Sequence, residues 1–311
     1  MLTAALLILA GLVGLVAGGD VLVRGAVGLA GKARLSPLVI GVVVVGFGTS
    51  MPELVTSVES VLAGSPALAW GNIVGSNVAN SLLILGGTAL AAPILLGGRD
   101  TFRDPLTGAI AAGALLALAF AGMAHRMIGA AFLAAVAFYL ILCLRRRHQK
   151  EADDLATQQE TGSWWRPLAF TTGGLALLIG GGQVLVTNAI VLAGLLGLSE
   201  TVIGLTVVAV GTSLPELVTA VVAARKGHPE VAFGNVAGSN IYNILLIGGT
   251  TMLLAPQPVP EDLLPLNLTV MTAAAIALLL FPLSRRRIGR MTGALMIAVY
   301  GNFLALQVAI A

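Results

Sequence analysis

Gly48-Thr49-Ser50-Met51-Pro52-Glu53-Leu54-Val55-Thr56 and Gly211-Thr212-Ser213-Leu214-Pro215-Glu216-Leu217-Val218-Thr219 are one phrase written twice, 163 residues apart. They differ only where Met51 meets Leu214. Carried outward at the same offset, the alignment pairs Gly18–Gly86 with Gly181–Gly249 without a gap, and 38 of the 69 pairs are identical. Gly71-Asn72 and Gly75-Ser76-Asn77 recur as Gly234-Asn235 and Gly238-Ser239-Asn240, and Asn80 recurs as Asn243. A duplication kept for packing would preserve apolar pattern and small residues. Here carboxylates, amides and hydroxyls set in apolar surroundings repeat as well, which points to a site shared by the two halves.

The surroundings are apolar throughout. Of 311 residues, 57% are hydrophobic and 10% charged, against about 25% charged in soluble domains. Lipid requires no charge at a protein surface, whereas water does. The net charge of +3 comes from arginine clusters between apolar stretches and is no sign of nucleic-acid binding. The single Cys143 excludes an internal disulfide framework and reads as packing.

A spanning helix needs about 20 mainly apolar residues. Spans are expected near 2–19, 37–63, 67–96, 105–124, 127–144, 167–196, 201–224, 230–254, 264–282 and 291–310. Residues 1–19 also suit a cleavable leader, but they lack a basic start and further spans follow, which favours a first spanning helix. Arginine and lysine divide unevenly across these spans. Arg24, Lys32 and Arg34, then Arg99 and Arg103, Arg145–Arg147, Lys150 and Arg166, Arg225 and Lys226, and Arg285–Arg287 with Arg290 fall after odd-numbered spans. That is 16 of the 17 basic residues, with Arg126 alone on the other side. The bias predicts a multi-pass membrane protein with both termini outside and the central connection in the cytoplasm. The economy of the chain suits a prokaryotic plasma membrane.

The expected fold is therefore all-α and membrane-integral, with ten transmembrane helices in two five-helix repeats. Residues 1–144 form the first repeat, 145–166 a cytoplasmic linker and 167–311 the second. Five spans per half is an odd number, so the second half enters the membrane from the opposite side. Inverted repeats of this kind place substrate at the midplane between the halves.

Glu53 and Glu216 lie mid-span, and ionisable residues there are costly, about 2.5–3.5 kcal/mol each on insertion scales. Each follows a Gly-Thr-Ser-x-Pro run. Proline removes a backbone donor and clashes with the carbonyl four residues back, so the carbonyls of Val45–Gly48 and Val208–Gly211 should be freed. Asn72, Ser76 and Asn80 recur at helical spacing along one face, as do Asn235, Ser239 and Asn243. Gly71, Gly75, Gly234 and Gly238 allow a close approach to those helices. The inventory is carboxylate, amide, hydroxyl and backbone oxygen. Hard oxygens in a flexible site suit calcium, which takes six to eight of them. Two glutamates neutralise one divalent cation, and the same oxygens suit competing sodium.

These motifs, G-T-S-x-P-E followed by G-N-x-x-G-S-N-x-x-N and present in both halves, resemble the sodium/calcium exchanger family of the calcium/cation antiporter superfamily. The resemblance implies ion ligands at Thr49, Ser50, Glu53, Ser76 and Asn80, and at Thr212, Ser213, Glu216, Ser239 and Asn243. It implies sodium contacts from the carbonyls of Gly46 and Ala209. It also implies that the first and sixth spans slide against the rest, giving alternating access. Asn243 stands where potassium-dependent members carry aspartate, which argues against potassium co-transport.

The expected activity is exchange of Ca2+ for Na+ by one copy of the chain in a lipid bilayer, with no cofactor beyond the transported ions. Exchange of Ca2+ for H+ at the same glutamates is the nearest alternative. A channel is disfavoured because channels repeat about an axis normal to the membrane, and an enzyme because no Ser–His pair or paired aspartates lie within spans. Glu59 is read as lining an access path or reaching the headgroups, and Asp20 as an interfacial residue. Thr206 lines the pathway or bonds its own helix. His125, His148 and His228 fall in connections.

Overall fold

The computed structural model describes residues 1–95, 99–145, 163–195, 209–284 and 287–310. In chain order the helices are α1 (Leu2–Ala33), α2 (Pro37–Thr49), α3 (Met51–Leu62), α4 (Pro66–Ala91), α5 (Arg103–Phe120) and α6 (Arg126–Arg145). After them come α7 (Trp165–Leu195), a helical turn at Ala209–Thr212, α8 (Leu214–Arg225), α9 (Pro229–Leu254), α10 (Leu266–Ser284) and α11 (Arg290–Ile310). Among the described residues the only strand-like pairing is an isolated antiparallel bridge between Ile94 and Ile288, joining two connections. Six of these helices are long and apolar enough to cross a membrane, and α2 with α3 makes a seventh if the bent pair is one span. The chain is a multi-pass membrane protein. Residues 146–162 of the expected linker, with His148, lie outside the described residues, as do 196–208, with Thr206 and Val208.

One expected boundary is corrected. The first helix does not stop near residue 19 but continues to Ala33, so Arg24 and Lys32 ride on it. Ala, Val and Leu carry the helix through, and it ends where Arg34 adopts the left-handed conformation, φ 52°. A left-handed residue at the C-terminus lets the next backbone N–H groups close back on the last turn.

α1 and α7 pack closer than side chains permit. A Cβ on Gly11 would lie 2.7 Å from the Gly181 carbonyl oxygen, and one on Gly18 would lie 2.7 Å from the Leu178 nitrogen and 3.0 Å from the Gly174 oxygen. On Gly25 it would lie 2.4 Å from the Thr171 nitrogen. Numbers rise along α1 as they fall along α7, so the two helices are antiparallel. The 163-residue offset maps Gly11 onto Gly174 and Gly18 onto Gly181, and hence exchanges the two glycine contacts. Small residues at such crossings supply the van der Waals contact that holds helices together where lipid provides no hydrophobic drive.

α4 and α9 lie deepest, with 78% and 94% of their apolar windows buried, against 33% for α1 and 11% for α7. Their large anchors, Trp70 and Phe233, are one offset apart and both fully buried. Each helix also widens into π turns at matching places, Ala79–Ile84 and Tyr242–Ile247. Such turns misalign backbone carbonyls and are frequent at functional sites. A third widened stretch, Gly41–Gly46, lies in α2 and touches α9: a Cβ on Gly41 would sit 2.6 Å from the Val231 carbonyl oxygen, and one on Gly234 would sit 2.5 Å from that of Leu38 just before the stretch. The expected thin faces at Gly234 and Gly238 are thus used. For Gly71 and Gly75, the partner stretch at that offset, 201–208, falls outside the described residues.

Candidate cation-binding site

The break ahead of Glu53 is built as the proline predicts. α2 and α3 meet at a 40° bend at Ser50, with Pro52 in the first turn of α3, where a missing N–H costs nothing. The expected freeing of the carbonyls is corrected at Gly46, whose oxygen still accepts the Ser50 N–H at 3.1 Å and also Ser239 Oγ at 3.4 Å, while Thr49 Oγ1 lies 3.1 Å from the Val45 oxygen. In the second half Ser213 precedes α8 in the same manner, with Pro215 in its first turn.

Glu53 and Glu216 are each 1% exposed and interact electrostatically across the interface between the halves. Two asparagines fix their backbones. Asn72 Nδ2 donates to the Glu53 carbonyl oxygen at 3.1 Å, and Asn235 Nδ2 to that of Glu216 at 3.2 Å. Further bonds cross between halves. Thr49 Oγ1 lies 3.1 Å from Asn235 Oδ1, and Asn243 Nδ2 donates to Ser76 Oγ at 2.8 Å. Asn240 Nδ2 donates to Ser81 Oγ at 2.9 Å.

Of the sequence-expected ligands, Thr49, Ser50, Glu53, Ser76, Asn80, Ser213, Glu216, Ser239 and Asn243 are buried, and Thr212 is partly exposed. Gly46 is in place with its carbonyl engaged by the Ser50 N–H and Ser239 Oγ. Ala209 opens the Ala209–Thr212 turn. Six buried oxygens among these residues accept no hydrogen bond: Ser50 Oγ, Glu53 Oε2, Asn80 Oδ1 and their counterparts Ser213 Oγ, Glu216 Oε2 and Asn243 Oδ1. An unpartnered buried polar atom costs about 1–3 kcal/mol. Six in three repeat-related pairs are therefore a set of acceptors that no protein donor satisfies. A cation would satisfy them. Among the described residues no group of three or more His, Cys, Asp or Glu could hold a metal.

A cavity of about 300 Å³ leads to this region. Pro52, Val55, Thr56 and Glu59 of α3 line one wall, and Gly182, Gln183, Val186 and Thr187 of α7 the other, with Gly211, Thr212 and Pro215 completing it. Thr212 thus belongs both to the expected ligand set and to the path. Glu59 lines this cavity, and Asp20 forms ion pairs with Arg24 at 2.8 Å and with Lys226.

Sequence reasoning missed several participants. Ser57 accepts from Asn72 at 2.9 Å, and Tyr242 donates its hydroxyl to the Val42 oxygen at 3.2 Å. Tyr242 stands where the first half has Ala79, and that break in the repeat was its signal. A buried knot of Asp104 with Arg103 at 2.6 Å and Tyr139 at 2.8 Å was also unforeseen; it ties α5 to α6.

A multi-helix membrane bundle with paired buried carboxylates and unpartnered oxygens defines a cation transporter. The sequence profile of the sodium/calcium exchanger protein family matches residues 3–145 and again 167–309, and the chain belongs to that family. It is 32% identical to the sodium/calcium exchanger MaX1 of Methanosarcina acetivorans, over 96% of this chain and 97% of that one. It is 37% identical to the inner membrane protein YrbG of Escherichia coli, over 82% and 81%. Its fold matches the sodium-calcium exchanger NCX_Mj, solved after soaking with zero Na+ and Ca2+, with a TM-score of 0.85 at 28% identity over 98% of both chains. The protein is a cation antiporter.

Proposed function

We propose that the chain exchanges Ca2+ for Na+ by alternating access, with both ions competing for the oxygens between Glu53 and Glu216. The carrying observation is the set of six unpartnered buried oxygens in three repeat-related pairs. Two carboxylates balance one Ca2+, and Ser50, Asn80, Ser213 and Asn243 add neutral oxygens toward the six to eight that calcium takes. Thr49, Thr212, Ser76, Ser239 and the carbonyls of Gly46 and Ala209 complete the ligand set, the carbonyls serving sodium. The structures of NCX_Mj soaked with Na+ and Ca2+ belong to a protein of the same fold and family, and support these two ions as the exchanged pair. With asparagine at both 80 and 243, the site carries no third carboxylate, which fits exchange without potassium.

In this reading the chain is ten spans in two inverted halves, 1–144 and 167–311, joined by a cytoplasmic linker at 145–166. The reciprocal glycine contacts of α1 and α7 support the inversion. They also support α1 and α7 moving as one body, because helices so closely packed cannot part cheaply. The arginine distribution sets both termini outside, in a prokaryotic plasma membrane. A loaded site crosses readily, whereas two bare carboxylates in an apolar interior do not, and this couples the two fluxes.

The test is uptake of radiolabelled Ca2+ into proteoliposomes loaded with Na+, with and without an outward Na+ gradient at fixed pH. Uptake that requires the Na+ gradient supports the assignment. Uptake indifferent to Na+ but driven by a pH gradient would transfer the same glutamates to proton exchange.

A further inference from the structure

The cavity between α3 and α7 carries chemistry that the central site does not use. On α3, Thr56 and Glu59 are three residues apart, and on α7, Gln183 and Thr187 are four apart, so each pair shares a helix face. All four line the cavity of about 300 Å³, and Glu59 is exposed within it. Glu59 lies six residues beyond Glu53, a rise of about 9 Å along the helix and a turn of about 240° around it. It is too far to share an ion held at Glu53, and Pro52 and Thr212, beside the central site, line the same cavity. A carboxylate, an amide oxygen and two hydroxyls on facing walls are hard donors suited to a partly hydrated cation.

The repeat shows that this group is not a by-product of duplication. The counterparts of Thr56, Glu59, Gln183 and Thr187 are Thr219, Val222, Asp20 and Arg24. On that side valine replaces the glutamate, and the one carboxylate, Asp20, is held by Arg24 and Lys226. Glu59 has no such cationic neighbour among the residues lining its cavity.

We infer that Glu59, with Thr56, Gln183 and Thr187, forms an outer cation-binding station that collects Ca2+ from one face of the membrane and passes it to Glu53. A single carboxylate in a recess with low-dielectric walls concentrates cations locally and raises their on-rate, an effect that salt screens. The station is weak, because one carboxylate cannot neutralise a divalent ion and water completes its shell. It serves one face only.

The use of the station rests on the exchange reading, but its existence does not, so two measurements are needed. The first is independent of transport. In a Cys143→Ala background, Val186→Cys places a thiol on an apolar position of the cavity wall. Its labelling rates with a cationic and an anionic methanethiosulfonate reagent report the local potential. Glu59→Gln is expected to lower the cationic-to-anionic rate ratio on the order of threefold at low ionic strength. Millimolar Ca2+ should lower the same ratio when Glu59 is intact and leave it unchanged in Glu59→Gln. A ratio insensitive to Glu59, or to Ca2+, overturns the station. The second is Ca2+ flux in vesicles of both orientations. Glu59→Gln should raise the half-saturating Ca2+ severalfold from the Glu59 face, with maximal flux and the opposite face unchanged, and Glu59→Asp should restore most of it. An equal shift at both faces overturns the station. Absent flux in the unsubstituted protein, with the labelling result intact, would sink the exchange reading alone.

Discussion

The two halves repeat the buried polar residues of the candidate site, yet the two ends of the molecule differ. At one end α3 and α7 stand apart around a cavity bearing Thr56, Glu59, Gln183 and Thr187. At the offset positions the gap is filled. A Cβ on Gly19 would lie 3.0 Å from Val218 Cγ1 and 3.5 Å from Val222 Cγ2, and Thr219 and Val23 are fully buried. Asp20, the counterpart of Gln183, is bound by Arg24 and Lys226. What is repeated supplies the proposed cation ligands, and what is not repeated separates an open end from a filled one. Thr219 shows both at once: its hydroxyl is buried without a partner, while its counterpart Thr56 lines the open path.

The largest effects belong to the repeated residues. Glu53→Gln and Glu216→Gln each remove half the charge that balances Ca2+. Losing one partner from a buried ionic contact costs about 3–5 kcal/mol, so Ca2+ flux should fall by at least about 100-fold in either variant. The comparison predicts similar losses from the two halves. Flux within tenfold of the parent in either one breaks the shared-site reading.

The glycines of α1 and α7 come next, as a comparison between neighbours. A Cβ on Gly174 would sit 2.4 Å from the Leu22 nitrogen, whereas one on Gly173 meets nothing within 4 Å. Gly174→Ala should destabilise the protein by about 1–3 kcal/mol through overpacking. Gly173→Ala should be neutral or stabilising by up to about 1 kcal/mol, as expected for an uncrowded helical glycine. Thermal unfolding in detergent measures both, and equal shifts would show that the two helices do not rely on that contact.

The paired asparagines give a smaller and graded effect. Asn72 is partly buried and joins Glu53 to Ser57 within one half, while Asn235 is fully buried and joins Glu216 to Thr49 across the halves. Each removal takes a second hydrogen bond from a helical carbonyl, at about 0.5–1.5 kcal/mol. Asn235→Ala should therefore lower Ca2+ affinity several times more than Asn72→Ala, read as the half-saturating concentration for flux. The reverse order would mean that the cross-half bond does not position the site.

Much of the site was legible because a polar residue in an apolar stretch is conspicuous, and its repetition makes it more so. Of the nine buried oxygens without a hydrogen-bond partner among the described residues, six lie on expected ligands and three lie on Asp104, Thr219 and Asn240. The role of Asn72 and Asn235 was not legible. Spacing places them on the ligand face, and only the bend at Ser50 brings the glutamate backbones within their reach. The extent of α1 was misjudged because charge was read as a boundary. Arg24 and Lys32 extend a helix whose backbone bonds are indifferent to their charge, and Arg24 finds its partner one turn away in Asp20. Which face stands open was beyond the sequence, since it depends on how Val218 and Val222 meet Gly19 across helices almost 200 residues apart.

The smallest predicted effect tests that asymmetry directly. Asp20 on α1 and Lys226 beyond the end of α8 form an ionic contact between α1 and the second half at the closed end. Their side chains are 34% and 28% exposed, and a pair so wetted contributes about 0–1 kcal/mol. That is too little to hold the fold, but it acts only in the state where this end is shut. A difference of that size moves a two-state balance by up to about fivefold. Asp20→Asn should therefore leave the melting temperature almost unchanged while slowing thiol labelling of Val186→Cys from the open face, in the Cys143→Ala background. Lys226→Ala should do the same, and the exchanged pair Asp20→Lys with Lys226→Asp should recover part of the rate. Unchanged labelling in both single variants would place the closing force in the Val218, Val222 and Gly19 packing alone, and charge would have no part in choosing the face.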